Sequence, residues 1–212
     1  MKTIYSEQHR LRDAKTELHG GQLVTPFERP SRADTIIKAI GQSNLGDILE
    51  PETFAMDPVR AVHSDDFIAF LETAWQEWQD AGFTGEAIAS SWPARRMQSR
   101  LPDFIDGKIG YYALAAETSI TEGTWAAALA SKDVALTGAK ALLQGERGIF
   151  SLCRPPGHHA AIDMFGGYCF FNNAAIAAQY LLDQGAKRTA ILDIDFHHGN
   201  GTQDIFYDRD DV

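Results

Sequence analysis

Thr189-Ala190-Ile191-Leu192-Asp193-Ile194-Asp195-Phe196-His197-His198-Gly199-Asn200-Gly201 passes directly from an apolar run into ionisable residues. Thr189–Ile194 reads as an apolar strand. Positions two apart in extended chain share a side. Asp193, Asp195 and His197 therefore face one way, and Ile194 and Phe196 the other. A charged Asp at the end of a buried strand is costly unless it is paired or bound to a cation. Asp and His donors together suit a divalent metal, with zinc, iron or cobalt all compatible. A second stretch repeats the pattern. The short apolar strand Gly148–Leu152 leads into Arg154-Pro155-Pro156-Gly157-His158-His159. Its prolines forbid helix and force an irregular turn, which presents two adjacent histidines at a strand's carboxyl end. Ligands of open α/β sheets collect beyond those ends. Taken singly, each feature has a plain explanation: an Asp caps a loop, a His pair sits on a surface, Asn200-Gly201 makes a turn. Three same-facing ligand types plus a histidine pair at one sheet edge point instead to a metal site.

Outward from these stretches, the second half alternates helix and strand. Thr121–Leu143 is rich in Ala and Leu and ends at Gly145, and Asn172–Leu182 ends at Gly185. Gln203–Tyr207 allows one short helical turn. This alternation predicts an α/β domain with a mostly parallel sheet and helices on both faces. Upstream, Thr3–Ser6 reads as a first strand and Glu7–Pro30 as a long loop. Ser31–Ile40 reads as a helix capped by Ser31 and stopped at Gly41. The clearest helix is Asp65–Asp80. Ser64 suits its N-cap, Asp65 and Asp66 suit the positive end of its dipole, and Phe67, Leu71, Trp75 and Trp78 form one buried stripe. Phe83–Gly110 has no clean periodicity, carries Arg95, Arg96 and Arg100, and reads as a long functional excursion.

The chain has 212 residues, which favours one domain with a single core. Lys and Arg total 19 against 29 Asp and Glu, a net charge of −10. Phosphate-driven nucleic-acid binding needs a basic surface and is disfavoured, whereas a cationic substrate or partner fits. Cys153 and Cys169 make no disulfide framework, which suggests a reducing cytosol. No segment has the length and apolarity of a signal peptide or membrane span, so a cytoplasmic protein is expected.

Arg154–His159, Gly166-Gly167-Tyr168-Cys169-Phe170-Phe171-Asn172-Asn173 and Asp193–Gln203 together resemble the histone deacetylase superfamily. Within it, the N-terminal His9–Leu18 and Gly20-Gly21-Gln22-Leu23 look most like bacterial acetylpolyamine amidohydrolases. The resemblance implies the arginase–deacetylase fold and hydrolysis of an N-acetyl amide by metal-activated water. It implies that Asp195 and His197 are metal ligands, that His158 and His159 contact the attacking water, and that His159 is the base and later the acid. Asp193 would orient His158 and Asn200 would contact His159. Gly167 and Tyr168 match the wall of an acyl-amine tunnel. Asp193, Asp195 and His197 also match a structural potassium site that uses their backbone carbonyls and the Asp193 side chain, and Phe206, Arg209 and Val212 a second one through backbone oxygens. The implied metal is zinc, with iron, cobalt or manganese as alternatives. The implied substrate is an acetylated polyamine or another cationic acetylated amine. A homodimer is implied, with Phe83–Gly110 and the N-terminal loop packed against the twin. Glu117, between the excursion and the Thr121–Leu143 helix, is a candidate anchor for a substrate ammonium.

The family pattern also uses a third metal-binding Asp and a carbonyl-polarising Tyr, both downstream of the second histidine motif, and no residue here matches either. Catalytic zinc normally has three protein ligands. The expectation is therefore that residues 1–212 form the N-terminal part of one catalytic domain, inactive alone. An arginase-type ureohydrolase would need His between two Asp residues, an order absent from Asp193–His198. A lysine deacetylase acting on proteins and a catalytically dead acetylamine-binding protein are the remaining alternatives.

Overall fold

The computed structural model describes residues 1–212. Three parallel strands make the sheet: β1 (Lys2–Ile4), β4 (Ile48–Leu49) and β5 (Ile149–Ser151), in the order β4-β1-β5. Thr3 stands opposite both Ile48 and Phe150. Strand alternation gives β5 two faces. Phe150 and Leu152 pack with Tyr5, Ala33 and Ile37 under helix α1 (Pro30–Gln42). Ile149 and Ser151 face helix α5 (Thr124–Leu143), where Gly138 lets the helix approach: a Cβ there would lie 3.2 Å from Ile149 Cγ2. A separate antiparallel hairpin, β2 (Glu17–His19) and β3 (Gln22–Val24), turns through Gly20 and Gly21 at φ +57° and +79°. Two left-handed residues are what a tight hairpin turn requires.

The main core gathers around α3 (Asp65–Asp80), whose Phe67, Leu71 and Trp78 are buried with Trp75 packed beside them, as the spacing predicts. Two short helices, α2 (Asp57–Arg60) and α4 (Ile105–Tyr112), border it. Ser64 does occupy the N-cap position of α3, but its side chain makes no cap bond. The start of α1 also differs from expectation. Arg29 is its N-cap and Pro30 opens the first turn, where the missing N–H costs nothing. The helix runs through Gly41 and stops before Asn44, which is left-handed at φ +49°. The excursion is less irregular than its composition suggests. It enters α4, bridges Ala87 to Ile120, and donates Trp92 Nε1–H to Ala113 O at 2.9 Å. Helix α6 (Asn173–Asp183) packs along α5, with Asn172 as its N-cap rather than its first residue.

The main departure is Thr189–Ile194. This segment joins no ladder; Thr189 N–H bonds Asp211 O at 2.9 Å instead. Leu192, Ile194 and Phe196 are 87, 89 and 97% exposed. An apolar run becomes a buried strand only where neighbours pair its backbone and cover its faces. Here the outer edge of β5 faces an open groove of about 490 Å³ between α5 and α6, bordered by Asp193 and Asp195.

Candidate active site

The first histidine stretch leaves the carboxyl end of β5, as expected; the second meets it there, although the segment before it pairs with no strand of the sheet. His158 Nδ1–H donates to Asp193 Oδ2 at 2.9 Å, and His159 Nδ1–H donates to Asn200 Oδ1 at 2.6 Å. The two rings lie 4.1 Å apart, with the His197 ring 6.1 Å from that of His159. Each donation leaves that histidine's Nε2 lone pair free. The partners differ in kind. A carboxylate stabilises an imidazolium; a neutral amide only fixes the tautomer.

Asp195 Oδ1 accepts the amide N–H of His197 at 2.8 Å and approaches His197 Nδ1 at 3.1 Å. The His197 amide, outweighing partial burial, holds the Asp195 carboxyl below its ordinary pKa. Burial works to raise that of Asp193, but the bonds from His158 and from the Asp195 amide outweigh it and leave it lowered. Asp195 and His197 are therefore an ionised carboxylate and an imidazole side by side, a donor pair suited to a divalent cation. The number is smaller than a catalytic zinc takes: no group of three or more His, Cys, Asp or Glu is gathered to hold a metal. Of the residues assigned to the monovalent sites, Asp193, Phe206 and Val212 line one cleft of about 270 Å³. Asp195 and His197 do not line it, and the Arg209 side chain pairs with Asp211 and lies over the Phe206 ring.

Helix α7 (Asn200–Phe206) starts at the residue that holds His159. Its first turn donates to the loop: Gly201 N–H and Thr202 N–H both reach His158 O, at 3.0 and 3.2 Å. Gly201 has no room for a side chain, since a Cβ would sit 2.6 Å from the His159 carbonyl carbon.

Gly167 and Tyr168 form the wall beside His159. Gly167 has φ +53°, and a Cβ there would lie 2.6 Å from His159 Cγ. Tyr168 is left-handed too, at φ +67°. Neighbours hold this strained pair: Glu117 Oε1 accepts Gly167 N–H at 2.8 Å, Thr118 Oγ1 accepts Tyr168 N–H at 2.8 Å, and Tyr168 OH donates to Glu17 Oε2 at 2.9 Å. Burial, then the Glu17 carboxylate, raises the Tyr168 phenol. Glu117 thus positions the wall and brings its carboxylate beside it.

Sequence reasoning missed several supports. Glu17 and Thr118 carry no motif of their own. Arg154, quoted only as the start of a motif, is a buried tie: Nε–H reaches Glu28 Oε1 at 2.8 Å and a second N–H reaches His9 O at 2.6 Å. His63, beside Ser64, belongs to no motif, yet it is buried and bonded at both ring nitrogens.

A histone deacetylase domain model matches residues 26–212, and the chain belongs to that family. The resemblance drawn from the three motifs is thereby borne out, and with it the arginase–deacetylase fold. Within the family, the chain is 58% identical to an acetylpolyamine amidohydrolase of Mycoplana ramosa and 55% identical to acetylpolyamine amidohydrolase 2 of Pseudomonas aeruginosa, each over all 212 of its residues. It superposes on the crystal structure of an acetylpolyamine aminohydrolase from Burkholderia pseudomallei with a TM-score of 0.90 at 37% identity, covering 100% of this chain and 61% of that one. The chain spans 62% of the length of the curated relatives. No helix is long and apolar enough to cross a membrane.

Proposed function

We propose that these residues belong to a deacetylase that hydrolyses the N-acetyl amide of acetylated polyamines and related cationic acetylated amines. The observation that carries this reading is the pair of adjacent histidines, their rings tilted at 46° with centroids 4.1 Å apart and their Nδ1 partners different, set beside Asp195 and His197 and walled by Gly167. The names of the similar proteins support the polyamine substrate, as does the net charge of −10.

In this reading Asp195 and His197 hold zinc, and a third ligand and an oxyanion-binding hydroxyl come from outside residues 1–212. When bound, zinc lowers the pKa of water toward ~7 and polarises the amide carbonyl. The remaining work falls to this chain's side chains. His159 Nε2, the ring nitrogen opposite the Nδ1–H that Asn200 accepts, takes a proton from the attacking water. His158, backed by the Asp193 carboxylate, tolerates positive charge and contacts the same water. As the C–N bond breaks, His159 returns the proton to the leaving nitrogen, and the products are acetate and the free amine. Positioned proton transfer of this kind is worth roughly 10²–10⁴-fold. Glu117, beside the wall, attracts the substrate's ammonium groups.

A potassium ion held by the backbone carbonyls of Asp193, Asp195 and His197 with the Asp193 side chain, and a second held by backbone oxygens of Phe206, Arg209 and Val212, belong to the same proposal. So does a homodimer. Arg95, Arg96 and Arg100 lie among exposed Trp92, Met97, Leu101 and Phe104, a basic apolar patch on an acidic chain. The test is to express the chain with its natural continuation and compare hydrolysis of acetylputrescine with that of an acetyl-lysine peptide, alongside zinc content. Preference for the peptide would overturn the polyamine reading, and a zinc-loaded protein inert on both would overturn deacetylation.

A further inference from the structure

We infer that His63, Asn172 and Thr202 act as positioning residues, setting where His159 stands relative to Asn200. The loop that carries the histidine pair has its carbonyls taken up in sequence. His158 O accepts from the first turn of α7. Ala160 O accepts Asn172 Nδ2–H at 3.1 Å, and the same amide group donates to Thr202 Oγ1 at 3.0 Å. Ala161 O accepts His63 Nδ1–H at 2.8 Å, while His63 Nε2 accepts the Asn172 backbone N–H at 2.9 Å. Ile162 O accepts Ser64 N–H at 3.0 Å. Asn172 thus bridges the two bodies that carry the His159–Asn200 pair: the loop after His159 and the helix that begins at Asn200.

The arrangement is demanding. Asn172 is fully buried, and its Oδ1 is already committed to capping α6 through Ala175 N–H at 3.0 Å. His63 must be neutral, donating from one nitrogen and accepting at the other. It is packed between Phe67 and Phe171, with ring centroids 5.7 and 5.4 Å away, and burial holds its pKa near 4. A histidine serving only as core filler needs no such two-sided bonding. Here each bond ends on a backbone group within three residues of His159 or on the Asn172 that ties the loop to α7.

The experiment reads the ring of His159 itself. Long-range proton–nitrogen NMR on the ¹⁵N-labelled chain reports which ring nitrogen carries the proton. In the unaltered chain it should be Nδ1. Thr202→Val is nearly isosteric and removes only the oxygen that Asn172 holds. It should weaken the Nδ1 preference by roughly fivefold, the worth of one neutral hydrogen bond, with Thr202→Ser restoring it. Asn172→Asp keeps an oxygen for the α6 cap but loses the bridging donor, and should shift the ring the same way. His63→Gln retains an acceptor for Asn172 N–H and should shift it less than His63→Leu. A folded Thr202→Val chain with an unchanged His159 tautomer would overturn the inference, whatever the bulkier changes do. The inference rests on the proposed role of His159 only where rate is concerned. In the continued chain, Thr202→Val should lower kcat with KM nearly unchanged, and loss of KM alone would count against positioning. The NMR result stands without any substrate, so failure of the deacetylase reading is separable from failure of this one.

Discussion

Replacing Gly167 with alanine sets a methyl group against the ring of His159. Two costs follow. The first is conformational: a non-glycine residue at φ +53° pays about 1–2 kcal/mol for the left-handed backbone. The second is contact. The new Cβ would stand 2.6 Å from His159 Cγ, whereas carbon atoms rest about 3.5–4.0 Å apart. His159 Cδ2 would be closer still, so the ring must retreat by more than about 1 Å, and its 2.6 Å bond to Asn200 cannot survive that displacement. One lost hydrogen bond and a strained repacking add roughly 1–3 kcal/mol. Gly20 supplies the control. It has nearly the same φ, +57°, and nothing within 4 Å of a Cβ built on it. Gly20→Ala should therefore pay the first cost alone. Urea unfolding followed by tryptophan fluorescence should place the Gly167→Ala midpoint below that of Gly20→Ala, by an amount equivalent to about 1–3 kcal/mol. Equal midpoints would refute the argument that Gly167 is required for the closeness of the ring and not merely for its own backbone angle.

In the continued chain, His159→Ala should nearly abolish hydrolysis while metal content stays unchanged, measured by steady-state rates with elemental analysis; near-normal turnover would remove His159 from the chemistry. Glu117→Gln should reduce kcat/KM on acetylpolyamines far more than on a neutral acetyl amide, by the equivalent of about 1–3 kcal/mol for one charge contact, and equal losses on both would limit Glu117 to holding Gly167. His63 carries a pH signature. Its folded pKa near 4 lies below the ordinary 6.5, so protonation favours the unfolded chain. Its contribution is whole above pH 6.5 and is lost as pH falls toward 4, up to about 3 kcal/mol; His63→Gln should remove that share of the slope in urea midpoints taken across this range. Residues 1–212 alone should bind zinc weakly and show no deacetylation, because only Asp195 and His197 are present as ligands; a zinc-loaded, active 212-residue protein would contradict the ligand count.

The legible parts of this fold were those governed by local chemistry. Asp65–Asp80 was readable because its apolar residues recur at helical spacing and Ser64, two Asp residues and a glycine punctuate its ends. The histidine pair was readable because a proline-rich turn at the end of β5 puts ionisable groups where sheets bind ligands. Non-local supports left no such trace. Glu17 holds Tyr168 across 151 residues, and His63 bonds Asn172 across 109; neither residue stands out beside its sequence neighbours. Thr189–Ile194 is the opposite case. Its hydrophobicity announces a strand, yet a strand is a property of a pair, and nothing in 189–194 states which backbone lies alongside.

That same non-locality governs how the chain can be made. β1 sits at the centre of the sheet, with β4 on one side and β5 on the other. Its first partner is synthesised early, but Lys2 meets Ile149 only after about 150 residues have been joined. At about 5–20 residues per second, the opening strand waits on the order of ten seconds or more before its second edge is covered. During translation, Ile4 and Tyr5, which end up buried, have only part of their final shelter. β1 therefore gains its second edge only after Ile149–Ser151 has been made, and a chaperone that shields β1 during translation should raise the yield of folded chain more than one acting after release.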